Sequence, residues 1–162
     1  ILAQEVASGD ADLLAVETIP SAIEADAICR LLDEEFSVPA WISFSCRNER
    51  EISDGNRLVS CADRVSQSPH ICAIGINCTA PQFIEPLLTS IAGTTDLPLA
   101  VYPNRGEGWD AVNKQWITCQ DEADFSTLAH RWVDAGAKLV GGCCRTTPAD
   151  IRSMREALCQ RR

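Results

Sequence analysis

The sequence predicts an α/β fold in which parallel β-strands alternate with amphipathic helices. Three observations carry this prediction. Short, almost continuous apolar runs recur along the chain, each run is followed by a stretch with helical periodicity, and turn residues separate the two. Strands that are apolar on both faces are typical of a parallel sheet covered by helices, with right-handed crossover connections.

Five strand–helix units can be traced along the chain, and the first of them shows the pattern. Its strand is predicted over residues 12–17, and a capping box formed by Ser21 and Glu24 is expected to begin its helix. The helical periodicity places one apolar stripe towards the sheet. The members of that stripe are Ile23, Ala27, Ile28, Leu31 and Leu32.

The other four units repeat this arrangement, with strands predicted over 39–46, 71–78, 97–102 and 138–142. A helix over 57–65 follows the second strand, and the next two helices end near Gly93 and Gly136. Thr147 and Pro148 are expected to begin the last helix. The core-facing residues of the last three helices are predicted to be Ile84, Leu87, Leu88 and Ile91, then Phe125, Leu128, Ala129, Trp132 and Val133, then Ile151, Met154 and Leu158.

Five strands are too few to close an eight-stranded barrel, which typically needs about 250 residues. The pattern alone therefore permits either an open, doubly wound sheet or five-eighths of a (β/α)₈ barrel.

The charge and cysteine content of the sequence indicate which partners the protein does not bind and in which cellular compartment it is expected. The net charge of −9 argues against nucleic acid and against anionic membrane surfaces, and no apolar run is long enough to span a bilayer. Nine cysteines, an odd number with scattered spacing and no secretory signal, indicate a reducing compartment. We expect a cytoplasmic protein that acts on small molecules, while the sequence leaves its oligomeric state open.

Polar and thiol side chains collect where the predicted strands end. In parallel α/β folds the functional groups lie at the carboxyl ends of the strands. Those positions hold Glu17, Ser43 to Cys46, Asn77 and Cys78, Tyr102 to Asn104, and Cys143 and Cys144. A catalytic zinc ion usually takes three protein ligands and keeps one open position, so Cys78, Cys143 and Cys144 on one rim suggest a metal site. Their spacing alone does not separate a metal site from three buried thiols.

Several of these segments resemble motifs of the homocysteine S-methyltransferase family. Residues 75–79 (GINCT) and 141–148 (GGCCRTTP) are similar to its two zinc-binding motifs. Residues 16–20 (VETIP) are similar to the strand end whose glutamate holds the substrate's amino group. The segment 102–104 (YPN) and the tryptophans Trp109 and Trp116 also fit the family. The resemblance covers essentially the whole chain, but nothing matches the family's first three strands.

The resemblance implies a fold and a set of ligands. The fold would be an incomplete (β/α)₈ TIM-type barrel comprising about strands four to eight, with residues 1–162 as the C-terminal part of a homocysteine-binding domain. Zn²⁺ would be held by Cys78, Cys143 and Cys144. Glu17 would bind the substrate ammonium, and Asn77, Ser43 and Asn104 are further candidates for substrate contacts.

The implied activity is zinc-dependent transfer of a methyl group from a sulfonium donor to homocysteine, as in methionine biosynthesis. S-Methylmethionine and S-adenosylmethionine are the expected donors, and relatives that use betaine or selenocysteine stay open as alternatives. A non-catalytic, zinc-binding remnant is the alternative from another class. A thiol–disulfide role for Cys143 and Cys144 is weakly supported, because adjacent cysteines form a strained disulfide and no C-x-x-C motif is present.

Overall fold

The computed structural model of the chain describes residues 9, 11–36, 38–110, 112–117 and 124–160. Seven strands and five helices are assigned within those ranges. The strands are β1 (Leu14–Ile19), β2 (Ala40–Phe44), β3 (Ile71–Asn77), β4 (Leu99–Tyr102), β5 (Gly108–Asp110), β6 (Gln115–Ile117) and β7 (Ala137–Val140). The helices are α1 (Ala22–Glu35), α2 (Leu58–Val65), α3 (Pro81–Ile91), α4 (Phe125–Asp134) and α5 (Pro148–Cys159).

Five parallel strands form the main sheet in the order β1-β2-β3-β4-β7. Each strand lies beside the one that precedes it in this sheet, and each helix packs against the next helix along the chain. A doubly wound sheet would reverse its strand order and divide its helices between two faces. The sequential order with neighbouring helices is that of a (β/α)₈ barrel arc, so the ambiguity left by the periodicity is resolved in favour of the barrel.

The core lies between the sheet and its single layer of helices. Ile42 and Phe44 of β2 and Ile74 and Ile76 of β3 point towards the helices and are fully buried. Helix α3 has the predicted stripe, and Ile84, Leu87, Leu88 and Ile91 are all 0% exposed. Burying a side chain of this size stabilises the fold by about 1.5–3 kcal/mol. The helix is therefore held mainly by this contact.

Helix α1 differs from its prediction. Ile23 is 79% exposed and Leu31 is 48% exposed, while Ala22, Ala25 and Leu32 are the residues that pack inwards. The expected capping box also does not form, since the Ser21 side chain makes no cap hydrogen bond in α1. The Ala22 amide donates instead to Asp54 Oδ2, at 2.8 Å. A residue from the loop after β2 thus replaces the local cap.

A small antiparallel hairpin, β5–β6, lies between β4 and α4 and was not predicted. It lies in the long connection between the fourth predicted strand and the helix that ends near Gly136. Asp110 Oδ1 accepts hydrogen bonds from the amides of Val112 and Asn113, at 2.9 and 3.1 Å, and so forms its turn. Across the ranges the structure describes, no helix has the length and apolarity needed to cross a bilayer.

Candidate metal centre and substrate pocket

Three cysteine thiols converge at the carboxyl edge of the sheet. The sulfur atoms of Cys78, Cys143 and Cys144 all lie within 4.8 Å of one another. Sγ of Cys144 is 3.5 Å from Sγ of Cys78 and 4.0 Å from Sγ of Cys143. In a tetrahedral zinc site with Zn–S bonds of about 2.3 Å, ligand sulfurs are about 3.8 Å apart. The donor set and its spacing therefore fit a zinc ion.

Cys78 reaches this site because the backbone turns sharply at the end of β3. Its φ of 48° lies in the left-handed region, which is uncommon for a residue with a side chain. The Cys78 amide donates to the carbonyl of Tyr102, at 3.2 Å. The following residue, Thr79, is buried, and its Oγ1 accepts the amide of Cys46, at 2.9 Å. These contacts hold the turn between the ends of β2 and β4.

The loop after β7 is shaped by a close approach at Gly142. A Cβ atom at Gly142 would lie 2.3 Å from Thr146 Oγ1. That hydroxyl donates to the Cys143 carbonyl at 2.7 Å, and the Thr146 amide donates to the same carbonyl at 3.1 Å. The Cys143 amide donates to the carbonyl of Pro103, at 2.8 Å. A side chain at 142 would therefore displace Thr146 and the loop that carries the two adjacent cysteines.

Two ion pairs join this loop region to the segment after β4. Arg145 donates through Nε and Nη2 to the two carboxylate oxygens of Glu107, at 2.5 and 3.2 Å. Arg105 Nη1 lies 2.8 Å from Asp150 Oδ2, and the Arg105 amide donates to the Cys144 carbonyl at 3.1 Å. The two parallel bonds between Arg145 and Glu107 fix the relative orientation of these side chains as well as their distance. The position of the cysteine pair thus depends on both loops.

Burial, together with the neighbouring Cys144 and Cys143, raises the pKa of the Cys78 thiol to about 12. Without a cation this thiol keeps its proton at neutral pH, because burial and the two neighbouring cysteines disfavour its thiolate. A coordinated metal ion removes such a proton outright. The cluster is thus suited to a divalent cation.

A pocket of about 340 Å³ opens on the sheet face opposite the helices. Glu17 and Tyr102 are its principal polar side chains, and its remaining lining is largely apolar. Gly141 and Gly142, which immediately precede the cysteine pair, form part of its wall. The pocket therefore connects the carboxylate of Glu17 with the region of the thiols. Its other lining residues are Trp41, Ala73, Ala100, Val101, Leu139 and Val140.

A network of hydrogen bonds crosses the four strands β1 to β4 beneath this pocket. Asn77 Oδ1 accepts from the Thr18 amide at 3.0 Å and from Ser43 Oγ at 2.9 Å. Asn77 Nδ2 donates to Thr18 Oγ1, at 2.6 Å. Ser43 Oγ is 2.6 Å from the Tyr102 hydroxyl, which also accepts from Trp41 Nε1 at 3.2 Å. Each side chain in this hydrogen-bond network has a partner, as buried polar groups generally do.

The predicted site residues occupy different positions relative to the pocket. Glu17 is exposed and lines it, whereas Asn77 and Ser43 are buried in the network, at 2% and 0% exposure. Asn104 Oδ1 accepts the Gly106 amide at 2.9 Å and so forms part of its own turn. The side chains of Trp109 and Trp116 lie outside the described parts of the structure.

Sequence reasoning gave no role to Thr18 and Trp41. Thr18 is a β-branched residue with a φ of 61°, at an irregularity in the β1–β2 pairing beside Glu17. The irregular strand end turns the backbone at the carboxylate. Thr18 directly follows the first predicted strand, within the segment 16–20, but nothing there indicated a role for its own side chain. Trp41 lies inside the second predicted strand, where the sequence offered no signal.

The chain matches known proteins of the family that its sequence motifs resemble. A family model described as homocysteine S-methyltransferase matches residues 2–158. The chain is 45% identical over 158 residues to homocysteine S-methyltransferase 3 of Arabidopsis thaliana, covering 96% of this chain and 46% of that protein. It is 41% identical over 162 residues to a selenocysteine Se-methyltransferase of Brassica oleracea var. italica, covering 98% of this chain and 47% of that protein.

A similar solved structure is that of the homocysteine methyltransferase MmuM from Escherichia coli in its metallated form. It aligns with a TM-score of 0.78 at 35% identity and covers 94% of this chain and 47% of that chain. The apo form of the same protein aligns with a TM-score of 0.74 at 37% identity, covering 91% of this chain and 49% of that chain. The chain thus spans about half the length of the curated relatives it matches, and it corresponds to their C-terminal part.

Proposed function

The chain belongs to the homocysteine S-methyltransferase family, and on that premise we propose that its cysteine cluster holds the Zn²⁺ ion of a homocysteine-methylating enzyme. Residues 1–162 would then be the C-terminal part of a homocysteine-binding (β/α)₈ barrel domain. The observation that carries the proposal is the convergence of Cys78, Cys143 and Cys144 within 4.8 Å at the carboxyl edge of the sheet.

Zinc suits this site because its three donors are all thiols, which zinc binds readily as thiolates. Three protein ligands leave a fourth position for the substrate's sulfur. When bound, zinc would supply the positive charge that keeps the homocysteine thiol deprotonated, since a free thiol with a pKa of about 8.5 is mostly protonated at neutral pH.

The chain's own residues would place the nucleophile. Glu17 lines the pocket beside Gly141 and Gly142, so its carboxylate can bind the homocysteine ammonium while the substrate's sulfur reaches the cysteine centre. Alignment of this kind can contribute several kcal/mol to a bimolecular reaction. The loop contacts at Gly142 and Thr146 would keep the thiols in place during this step.

Methyl transfer then exchanges one carbon–sulfur bond for another. The homocysteine sulfur bonds to the methyl carbon, the bond between that carbon and the donor sulfur breaks, and its electron pair stays on the donor. A sulfonium donor loses its positive charge in this reaction, so electron-rich thiolates nearby favour the transition state. S-Methylmethionine and S-adenosylmethionine are the proposed donors, with methionine as the product.

We place the protein in the cytoplasm as part of this proposal. The eight cysteines in the described ranges are free thiols, and a thiolate metal site is compatible with a reducing compartment.

The test is methyl transfer by the full-length, zinc-loaded protein. Homocysteine is supplied with either sulfonium donor, and methionine is measured by chromatography. We expect methionine from at least one donor, loss of activity after chelation, and recovery when zinc is returned. A protein that binds zinc but methylates no thiol would contradict the enzyme proposal and favour a non-catalytic zinc-binding remnant.

A further inference from the structure

The direction of each hydrogen bond beneath the pocket can be assigned by counting protons. The amide of Thr18 can only donate, so Asn77 presents Oδ1 to it, at 3.0 Å. The bond from Asn77 Nδ2 to Thr18 Oγ1 agrees with that orientation. Because Oδ1 carries no proton, the hydroxyl of Ser43 must donate in the 2.9 Å bond between them.

The same count of protons gives the direction of the hydrogen bond between Ser43 and Tyr102. Ser43 has a single hydroxyl proton, and it is used towards Asn77, so Ser43 Oγ offers only lone pairs to Tyr102. Tyr102 therefore donates in the 2.6 Å bond to Ser43. A tyrosine hydroxyl has an ordinary pKa of about 10, so it keeps this proton at neutral pH. Its oxygen accepts the indole N–H of Trp41, at 3.2 Å.

The result is an arrangement of acceptors without a donor at the wall of the pocket. Glu17 and Tyr102 line the same cavity. The Glu17 carboxylate lies close enough to the Tyr102 hydroxyl to add to the effect of burial in raising its pKa. The only Tyr102 proton points away from Glu17, towards Ser43. Two oxygens that face each other with lone pairs repel unless a donor lies between them. An ammonium group, with three donors and no acceptor, meets that requirement.

We propose that Tyr102 is a specificity-determining residue whose hydroxyl oxygen accepts a hydrogen bond from the substrate's ammonium group alongside Glu17. Ser43 and Asn77 are positioning residues: they touch no substrate and hold the Tyr102 hydroxyl in the acceptor orientation. This inference rests on the proposed function and identifies how its site selects an α-amino thiol. An analogue without the amino group would leave both oxygens unpaired, which is an effective basis for rejection.

The experiment compares two thiols on the full-length, zinc-loaded protein. Homocysteine and 4-mercaptobutanoate share the thiol and the carboxylate, and only homocysteine has an amino group. Dissociation constants are measured by calorimetry for the parent, Tyr102→Phe, Ser43→Ala and the double variant. Ser60→Ala, at an exposed position of α2, is the matched control for the serine change. Zinc content is measured for each protein.

We expect Tyr102→Phe to weaken homocysteine binding by about ten-fold or more, the usual effect of losing a hydrogen bond to a charged group. Binding of 4-mercaptobutanoate should change less than about two-fold, since no bond to its atoms is lost. Ser43→Ala should also reduce the preference for homocysteine, because the Tyr102 proton can then turn towards Glu17. The double variant should lose no more of that preference than Tyr102→Phe alone.

Equal weakening of both thiols in Tyr102→Phe would overturn this inference, because the residue would then act on the thiol site or on the fold. An unchanged preference in Ser43→Ala would overturn the assigned direction of the bonds. Those results leave the proposed function intact if the parent binds homocysteine more tightly than the analogue. A zinc-loaded parent that binds neither thiol would instead overturn the proposed function and this inference together.

Discussion

At the residue scale, backbone strain is concentrated around the candidate site. Four non-glycine residues in the described ranges have positive φ, and three of them, Thr18, Cys78 and Arg145, border the pocket or the thiols. Conformations of this kind cost of order 1–3 kcal/mol each and persist only where surrounding contacts enforce them. The hydrogen bond from the Thr18 amide to Asn77 and that from the Cys78 amide to Tyr102 are such contacts.

Gly142→Ala should lower zinc affinity by about ten-fold or more. The new Cβ would lie 2.3 Å from Thr146 Oγ1 and 2.7 Å from its Cβ, so the loop that carries Cys143 and Cys144 must shift. Gly141→Ala is the matched control, because its nearest new contact is an ordinary 3.5 Å to Tyr102 Cβ. Competition with a chromophoric chelator measures both affinities. Equal zinc affinity in the two variants would show that the close approach at 142 does not shape the site.

The sequence motifs predicted which three thiols would lie together, but not the hydrogen bonds around them. The motifs around Cys78 and Cys143 identified the thiols, and the structure brings those thiols together. The bonds of Ser43 to Asn77 and Tyr102 join residues 34 and 59 positions apart. Separations of that length leave no periodicity to detect. The network had to be seen in three dimensions.

At the element scale, helix α4 depends on a side-chain cap. Asp124 accepts hydrogen bonds from the amides of Ser126 and Thr127, at 3.0 and 3.4 Å, and from both hydroxyls, at 2.6 Å each. These four bonds lower the pKa of Asp124 from 3.8 to about 2. The carboxylate satisfies amides that the helix itself leaves unpaired.

Asp124→Ala should reduce the free energy of unfolding at pH 7 by about 1 kcal/mol, the usual value of an N-terminal cap at an exposed position. The folded-state pKa lies below its ordinary value, so the ionised cap stabilises the fold above about pH 4, and that contribution is lost as the pH falls towards about 2. Urea unfolding of the parent, Asp124→Ala and Asp124→Asn across this range measures the effect. An advantage of the parent over Asp124→Asn that does not shrink with acid would contradict the role of the charge.

The helices also show where local patterns suffice. The stripe of α3 was predicted correctly because all four of its residues are large and apolar and each is fully buried. In α1 the buried residues include the small Ala22 and Ala25, while Ile23 is exposed. Hydrophobic periodicity gives more weight to the isoleucine than to the alanines. A pattern weighted by the size of the apolar residues therefore selects the wrong face of α1.

At the scale of the whole molecule, the chain forms an arc of a barrel with one face covered by helices and the other open. Leu139 is 54% exposed on that open face, where it lines the pocket together with Trp41, Ala73 and Ala100. The alternation of apolar runs and amphipathic stretches predicted five parallel strands, and the structure has them in sequential order. That alternation did not predict the curvature of the sheet, because it is common to open sheets and barrels.

Three cysteines from two distant segments form one zinc site in this proposal, and the zinc content per chain is the measurement that tests that site. The parent and the variants Cys78→Ser, Cys143→Ser and Cys144→Ser are purified under reducing conditions, with Cys159→Ser, an exposed thiol on α5, as the matched control. We expect about one zinc per chain in the parent and the control, and sharply weakened zinc binding in the other three variants. A folded, reduced parent without zinc, or undiminished zinc in Cys78→Ser, would contradict it.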